Sequence, residues 1–544
     1  MRANYCGRYV GESAVKRRLP TVEGMAPTPA DSAAGTHCPY CALQCGMMLT
    51  ASDAAPPVEV TPLDFPTNRG GLCRKGWTAA ELLDSPDRLT TPLLRSRPSD
   101  RTAPFVPVGW DEALDAVATV RALADAARHR GAVILTARGA EQQSKGTDTV
   151  SALINLALAL GLPGCPRSGF GCVTGQGNGQ GGREHGQKSD QLPGYRSIDD
   201  PAARAHVAAV WGVDPATLPG RGPSAYELIE RLGTPGGPRS LLVHGTNVAV
   251  SSPSGRRVAR RLAALDQLVV CDVVMSETAA LADVVLPVTQ WAEEDGTMTN
   301  LEGRVIRRRK VVNPPPGVRT ELEILAVLAD RLGHGDRFPA DPDTVFDELR
   351  RASAGGTADY AGITWRRVDD EDGVFWPCPS PEHPGTPRLF ADGFPTPDGR
   401  AVFVAVEHRP VAEDVDDTYP LYLTTGRVLQ QYQSGAQTRR VPSLAGSADG
   451  PHVEMHPDLA ERTGVVEGGT VRVVSRRGDA VGTVRVTTSI RADTVFMPFH
   501  WGGLQAVNRV TNPALDPVSR MPEFKVCAVR LEAGGRPADD GSDG

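Results

Sequence analysis

Four cysteines near the start of the chain set its strongest constraint. Cys38, Cys41 and Cys45 fall within HCPYCALQC, and Cys73 stands in GGLCRKGW, which gives the pattern Cys-x2-Cys-x3-Cys-x27-Cys. Structural zinc sites are usually built from two CxxC knuckles, because each pair spans one edge of a tetrahedron. Three cysteines wound into one loop, with a fourth at a distance, better suit the corners of a cubane [4Fe–4S] cluster. Zinc and unliganded thiols are the competing readings. Lys75, two residues beyond Cys73, is a surface lysine on the plain reading and a charged bridge to a second cofactor on the sharper one.

The chain has 544 residues, too many for one hydrophobic core, so several domains are expected. Its ten cysteines are too few for a disulfide scaffold, and their clustering points to metal in a reducing cytoplasm. A net charge of −7 argues against nucleic acid as a partner. No run of 18 apolar residues is present, so no membrane span is expected. Arg17-Arg18 lacks the apolar segment an export signal needs. Residues 1–35 and the tail 534–544 have the composition of disordered extensions.

Between these ends the organisation is α/β followed by β. Residues 36–95 hold the cysteines, with strand-like runs such as GMMLTAS. Residues 96–334 form an α/β region. In it, GWDEALDAVATVRALADAARHR (109–130) has helical spacing, AVILTARG (132–139) reads as a short buried strand, and DTVSALINLALALGLPG (148–164) as an apolar helix. SGFGCVTGQGNGQGGREHGQKSDQLPGYR (168–196) reads as a long glycine-rich loop of functional type. From residue 239, SLLVHG, GRRVARRLAALD, QLVVCDV, ETAALA and DVVLPV alternate strand and helix, a parallel-sheet signature with HGTN at a strand end. RVIRRRK (304–310) reads as a solvated strand face. Residues 335–418 read as an irregular linker, and 419–533 as a β-barrel built from LYLTTGR, GTVRVVSRRG, AVGTVRVTT, TVFMPF and KVCAVRLE.

Taken together, HCPYCALQC, GGLCRKGW, GWDEALD, ARGAEQQSKGTDTV, GQGNGQGGREHGQKSDQLPGYR, TGRVLQQYQSGAQTRRV and PFHWGGLQAVNRVTNPALDPVSRMPEFKVCAVRL resemble the molybdopterin oxidoreductases. Within that family they are most similar to the catalytic subunit of assimilatory nitrate reductases. The resemblance spans roughly residues 36–532. It implies an N-terminal [4Fe–4S] module, α/β nucleotide-binding domains and a C-terminal barrel of double-psi type. It implies two cofactors, a [4Fe–4S] cluster and Mo-bis(molybdopterin guanine dinucleotide), and reduction of nitrate to nitrite. It carries Cys38, Cys41, Cys45 and Cys73 over as cluster ligands and Lys75 as the electron-transfer bridge. Gln142 matches a pterin contact, and Asn247 and Asp272 match guanosine contacts. The stretch Thr425–Ser434, with Gly426, Arg427 and Ser434, matches a pyrophosphate and pterin loop. Asn508 and Lys525 match late pterin contacts. No nicotinamide or flavin module is evident, so a ferredoxin, a flavodoxin or a separate reductase subunit is the implied donor. Formate dehydrogenase chemistry is the runner-up, and a non-catalytic iron–sulfur protein the reading from another class.

One departure from the family pattern is large. In the family, WDEALD opens an α/β domain that supplies a cysteine ligand to molybdenum, far ahead of the segment matching ARGAEQQSKG. Here the two motifs nearly touch, with a break near Thr119–Ala124, and no cysteine occurs between Cys73 and Cys165. A nucleotide-binding α/β domain needs on the order of 100–200 residues. The expectation is therefore an internal deletion that removes the metal ligand and half the cofactor cradle. A substitute metal ligand, or a cluster-only remnant, are the alternatives. Loss of a domain should also expose apolar surface on the adjacent sheet and on the C-terminal barrel, and so lower solubility or stability.

Overall fold

The computed structural model describes residues 33–37, 45–53, 56–65, 68–84, 93–95, 104–107, 131–173, 175–446 and 450–534. The helix expected at 109–130, the break near 119–124, Cys38, Cys41 and both expected disordered ends lie outside these residues, apart from short stretches at their margins. The chain divides into two compact units, Met1–Arg130 and Gly131–Gly544.

In the first unit, β1 (Ala33–His37), β2 (Gly46–Ala51) and β3 (Val58–Pro62) form an antiparallel sheet in that order. Met47, Val60 and Ala80 make its small core, with Cys45 and Leu72 packed against it. A separate antiparallel pair joins β4 (Leu93–Arg95) and β5 (Phe105–Pro107).

The second unit begins with a parallel pair, β6 (Val133–Ala137) and β7 (Gly169–Val173), joined through the helix Gly146–Ala159. That helix matches the apolar 148–164 stretch, and Gly161 ends it with φ +66. The strand expected to be buried is not: Val133 and Leu135 are each 58% exposed. Parallel strands normally have both faces covered; here the helix Gly146–Ala159 packs on one, and among the described residues the face bearing Val133 and Leu135 is left open. The stretch expected to be a long loop contains β7, the helix Gly179–Glu184, and the short pair β8 (Gln191–Leu192) and β9 (Arg196–Ser197). Glycine richness had obscured these elements.

A second parallel sheet, β10 (Ser240–His244), β11 (Gln267–Asp272) and β12 (Val284–Pro287), follows the alternation read from residue 239. Leu262 and Val258 of the helix Gly255–Ala263 pack on it, with Leu232 and Tyr226 of the preceding helix region. β13 (Gly296–Thr299), β14 (Arg304–Arg308) and β15 (Val374–Phe375) form an antiparallel sheet. Arg307 on β14 is not solvated as expected. Its guanidinium lies 3.9 Å from the Trp365 ring centroid and pairs with Asp295 at 2.9 Å. Nor is 335–418 only a linker. Its helix Pro342–Ser353 contributes Phe346 to a core with Tyr360, Ile363 and Trp376, and irregular chain dominates only after that core.

The last region closes into a barrel in the order β16 (Leu421–Gly426), β20 (Thr494–Pro498), β17 (His452–Met455), β19 (Gly478–Val486), β18 (Thr470–Ser475), β21 (Cys527–Ala533). Alternate residues point inward, so Leu421, Leu423, Val471, Val473, Val495 and Met497 fill one core. Among the described residues, no helix is long and apolar enough to cross a membrane.

Candidate functional site

Strand ends and loops of the second unit converge around the segment that follows β16. Thr425 and Gly426 end that strand. Gly426 was expected to allow close approach of a phosphate, but the space is already taken: a Cβ there would lie 2.5 Å from the Phe496 ring. The glycine is required by this ring packing. Beyond it, His500 holds the loop. Its Nε2 accepts the Val428 N–H at 3.0 Å, so its Nδ1–H donates to the Gln433 carbonyl at 2.6 Å. Burial is the main cause that holds His500 below its ordinary pKa, and the positive Arg427 and Arg439 add to it. The neutral tautomer is the one this loop needs. Gln433 in turn donates to the Gly175 carbonyl at 3.0 Å, which ties the loop to the glycine-rich stretch.

Arg427 and Lys525 lie beside the Phe499 ring, with their charges 5.0 and 5.6 Å from its centroid. Lys525 is buried and donates to the Thr425 carbonyl at 2.7 Å. Burial, and then the charge of Arg427, lower its pKa to about 8. Burial, and then Arg138, lower that of Arg427. Among the described residues neither cation has a carboxylate partner. A buried Lys525 without counter-charge, with the exposed and only partly desolvated Arg427 beside it, is what an anionic ligand would compensate. The Phe524 N–H donates to the Gln142 carbonyl at 3.1 Å, which sets Gln142 next to this pair in the fold. Of the expected pterin contacts, Gln142, Arg427 and Lys525 therefore share one place, and their chemistry fits an anionic dinucleotide.

The expected guanosine contacts form a second group with different prospects. Asn247, at the end of β10, has every hydrogen-bonding valence in use. Its Nδ2 donates to Glu277 at 2.7 Å and to Ser434 Oγ at 3.2 Å, and its Oδ1 accepts from the Thr278 N–H and hydroxyl at 3.1 and 2.9 Å. A carboxamide offers two donors and two acceptor pairs, so Asn247 acts here as a brace between loops, and nothing remains for a nucleotide. Ser434 is its partner. Asp272, at the end of β11, accepts from the Val273 N–H and the Ser276 hydroxyl, both at 2.7 Å, and keeps acceptor capacity on a half-buried carboxylate. Asn508 donates to the Val250 carbonyl at 2.7 Å and accepts from Thr511 at 3.0 Å, which makes it mainly a tie between the barrel and the α/β sheet.

Glu277, Arg439 and His500 were not singled out by sequence as site residues. Glu277 binds Arg439 at 2.7 Å as well as Asn247, and a Cβ on Gly502 would come within 2.2 Å of it. Its place just after β11, where open α/β sheets take ligands, was the available signal. Within the GREHGQKSDQLPGYR stretch, one carboxylate serves the fold. Glu184 is buried and accepts from the Trp376 indole at 2.8 Å, from Gln180 at 2.8 Å and from the Tyr360 hydroxyl.

In the first unit, Cys45 is half-buried ahead of β2, and Cys73 is exposed at the N-cap of the short helix Arg74–Trp77. Their sulfurs are donors of the kind an iron–sulfur cluster takes. The backbone of Lys75 lies in that helix.

Three family models match the chain. They are a molybdopterin oxidoreductase Fe4S4 domain over residues 32–85, molybdopterin oxidoreductase over 121–331, and a molydopterin dinucleotide binding domain over 421–528. The assimilatory nitrate reductase catalytic subunit of Bacillus subtilis is 45% identical over 409 residues, covering 74% of this chain and 57% of that protein. The F420-dependent formate dehydrogenase subunit alpha of Methanocaldococcus jannaschii is 40% identical over 402 residues, covering 74% and 58%. Among solved structures, acetylene hydratase from Pelobacter acetylenicus superposes with a TM-score of 0.48 at 14% identity, covering 92% of this chain and 100% of that one. The chain thus spans a little over half the length of the curated relatives. It belongs to the molybdopterin oxidoreductase family, with an Fe4S4 domain and a dinucleotide-binding barrel.

Proposed function

We propose that this molybdopterin oxidoreductase is of the assimilatory nitrate reductase type and lacks the internal domain that would carry the metal's cysteine ligand. The 45% identity to the Bacillus subtilis catalytic subunit carries this reading. The reaction of the complete enzyme is nitrate plus two electrons and two protons to nitrite plus water. Electrons come from a separate ferredoxin, flavodoxin or reductase subunit in the cytoplasm. Cys38, Cys41, Cys45 and Cys73 hold the relay cluster, with Lys75 as the bridge beyond it. The molybdenum cofactor, when bound, supplies the oxygen-atom transfer.

The chain's own residues supply the cradle. Arg427 and Lys525 hold the anionic dinucleotide by charge, and Gln142 offers its side-chain amide beside them. Asp272 accepts hydrogen bonds from a guanosine edge. His500 shapes the loop, and Asn247, Ser434 and Asn508 brace the elements that bear these groups. The missing half of the cradle is expected to weaken cofactor retention and to leave turnover by this chain low. The 40% identity to a formate dehydrogenase subunit favours formate oxidation as the second reading.

Iron and molybdenum analysis of the anaerobically purified chain tests the proposal, followed by viologen-linked assays with nitrate and formate. About four iron and one molybdenum per chain, with nitrate-dependent oxidation of reduced viologen, would show that the chain works without the domain. Formate-dependent viologen reduction would move it to the second reading. Iron without molybdenum, and no turnover, is the expected outcome of the deletion.

A further inference from the structure

One side chain joins the two arms that carry Cys45 and Cys73. Asn68 Oδ1 accepts the Gly46 N–H at 3.0 Å, and its Nδ2 lies 3.1 Å from the Gly46 carbonyl, 3.0 Å from that of Leu63 and 2.9 Å from that of Gly71. Gly46 directly follows Cys45, and Gly71 stands two residues before Cys73. The backbone around it reinforces the link. The Leu63 N–H donates to the Gly46 carbonyl at 3.0 Å, and the Gly71 N–H donates to the Asn68 carbonyl at 2.8 Å. Gly46 itself has no room for a side chain, since a Cβ would fall 2.6 Å from that of Phe65.

The chemistry of this clamp is specific to a carboxamide. It needs an acceptor on one side, for Gly46, and N–H donors on the other, shared among three carbonyls. Aspartate has the same shape but turns an oxygen toward those carbonyls. Alanine removes both halves. Nothing in the motif pattern had assigned Asn68 a role.

We propose that Asn68 is a positioning residue for the iron–sulfur cluster. It fixes the gap between the Cys45 arm and the Cys73 arm before the cluster is inserted, so that both thiolates face one core. A ligand arm held by one multiply bonded side chain loses little freedom when it binds metal. A side chain that orients ligands without touching the metal commonly changes metal retention by about 10–100-fold when removed. The inference rests on reading the four cysteines as cluster ligands.

The test uses the full chain, reconstituted anaerobically with ferrous iron and sulfide. Iron release to a ferrous chelator is timed for the parent, Asn68→Ala and Asn68→Asp, with the electron paramagnetic resonance spectrum of each dithionite-reduced sample. Release about tenfold faster in both variants, with a broadened cluster signal, is expected. Circular dichroism of the metal-free chains should be unchanged, and Asn155→Ala, which removes a carboxamide bonded to Val404, should release iron like the parent. Release rates and spectra of both Asn68 variants equal to the parent would overturn the proposal and leave the cluster reading standing. A parent chain that takes up no iron would overturn both. Should Asn68→Ala lose its metal-free fold, Asn68→Asp decides by the same two readouts.

Discussion

The C-terminal barrel and the β6–β7 pair are made of similar strands yet end in opposite conditions. The barrel closes on itself, so its strands have no open edge, and Leu423 on β16 is 1% exposed. The β6–β7 pair is parallel, a type of sheet that is stable when covered on both faces, yet Leu135 on β6 is 58% exposed. Closure gives every barrel strand a hydrogen-bonded neighbour on both sides. The parallel pair is covered on one face by the helix Gly146–Ala159, and the described residues leave its other face open. This difference accords with the proposal that one α/β domain is missing, because the exposed strand stands just beyond the segment where the two family motifs nearly touch.

Substitutions can break or sharpen that contrast. Leu423→Ala should cost about 2–5 kcal/mol, as expected where a filled core cannot collapse around the gap, read by urea denaturation. A loss under about 1 kcal/mol there would mean the barrel is looser than its burial implies.

Lys525 gives the next effect. Its folded pKa is lowered to about 8 from 10.5, so between those values the unfolded chain binds more protons. The contribution of Lys525 to the metal-free fold should therefore rise from pH 8 toward 10.5, on the order of 3 kcal/mol in all, with the buried Cys527 thiol, raised to about 12, opposing it above pH 9. Lys525→Met should abolish the rise in a pH series of thermal melts. A protonated Lys525 paired with a bound anion would also show as proton uptake on cofactor binding near pH 9 to 10.

Glu277→Ala leaves the Arg439 guanidinium and the Asn247 amide without their partner and should cost about 1–3 kcal/mol. Glu277→Gln keeps the shape and should cost less, which a melting comparison of the two variants checks. At the exposed pair, Leu135→Lys should change stability by no more than about 0.5 kcal/mol, as at other open surface positions. It should also reduce self-association in light scattering. A large loss of stability would show that this face is covered in solution.

Much of the fold was legible before any coordinates. The alternation from residue 239 gave the parallel sheet, and five of the six barrel strands were read from period-two runs. The sixth, His452–Met455, is too short to carry a pattern of its own. The helix Pro342–Ser353 was missed because the prolines and glycines around it suggest a linker, whereas its amphipathic face packs Phe346 into a core. The loop read at 168–196 failed for a related reason: glycines there permit close packing, Gly186 against Leu192 and Gly194 against Ser353, and Glu184 is held by buried polar partners and not by a long hydrophobic run.

The sequence by itself determined the ligand chemistry and the kinship: four cysteines at cluster spacing, and long motifs that place the chain among molybdopterin oxidoreductases. It could do so because ligand type and local spacing are properties of short stretches. Only the tertiary structure decided which expected contacts are still available. Asn247 and Asn508 are taken up as braces, Gly426 makes room for Phe496, and Lys525 is left as a buried cation with the exposed Arg427 beside it, neither with a carboxylate partner among the described residues. Those outcomes depend on groups far apart in the chain meeting in one low-dielectric place, where every hydrogen bond and charge must find a partner. No local pattern records which partner that is.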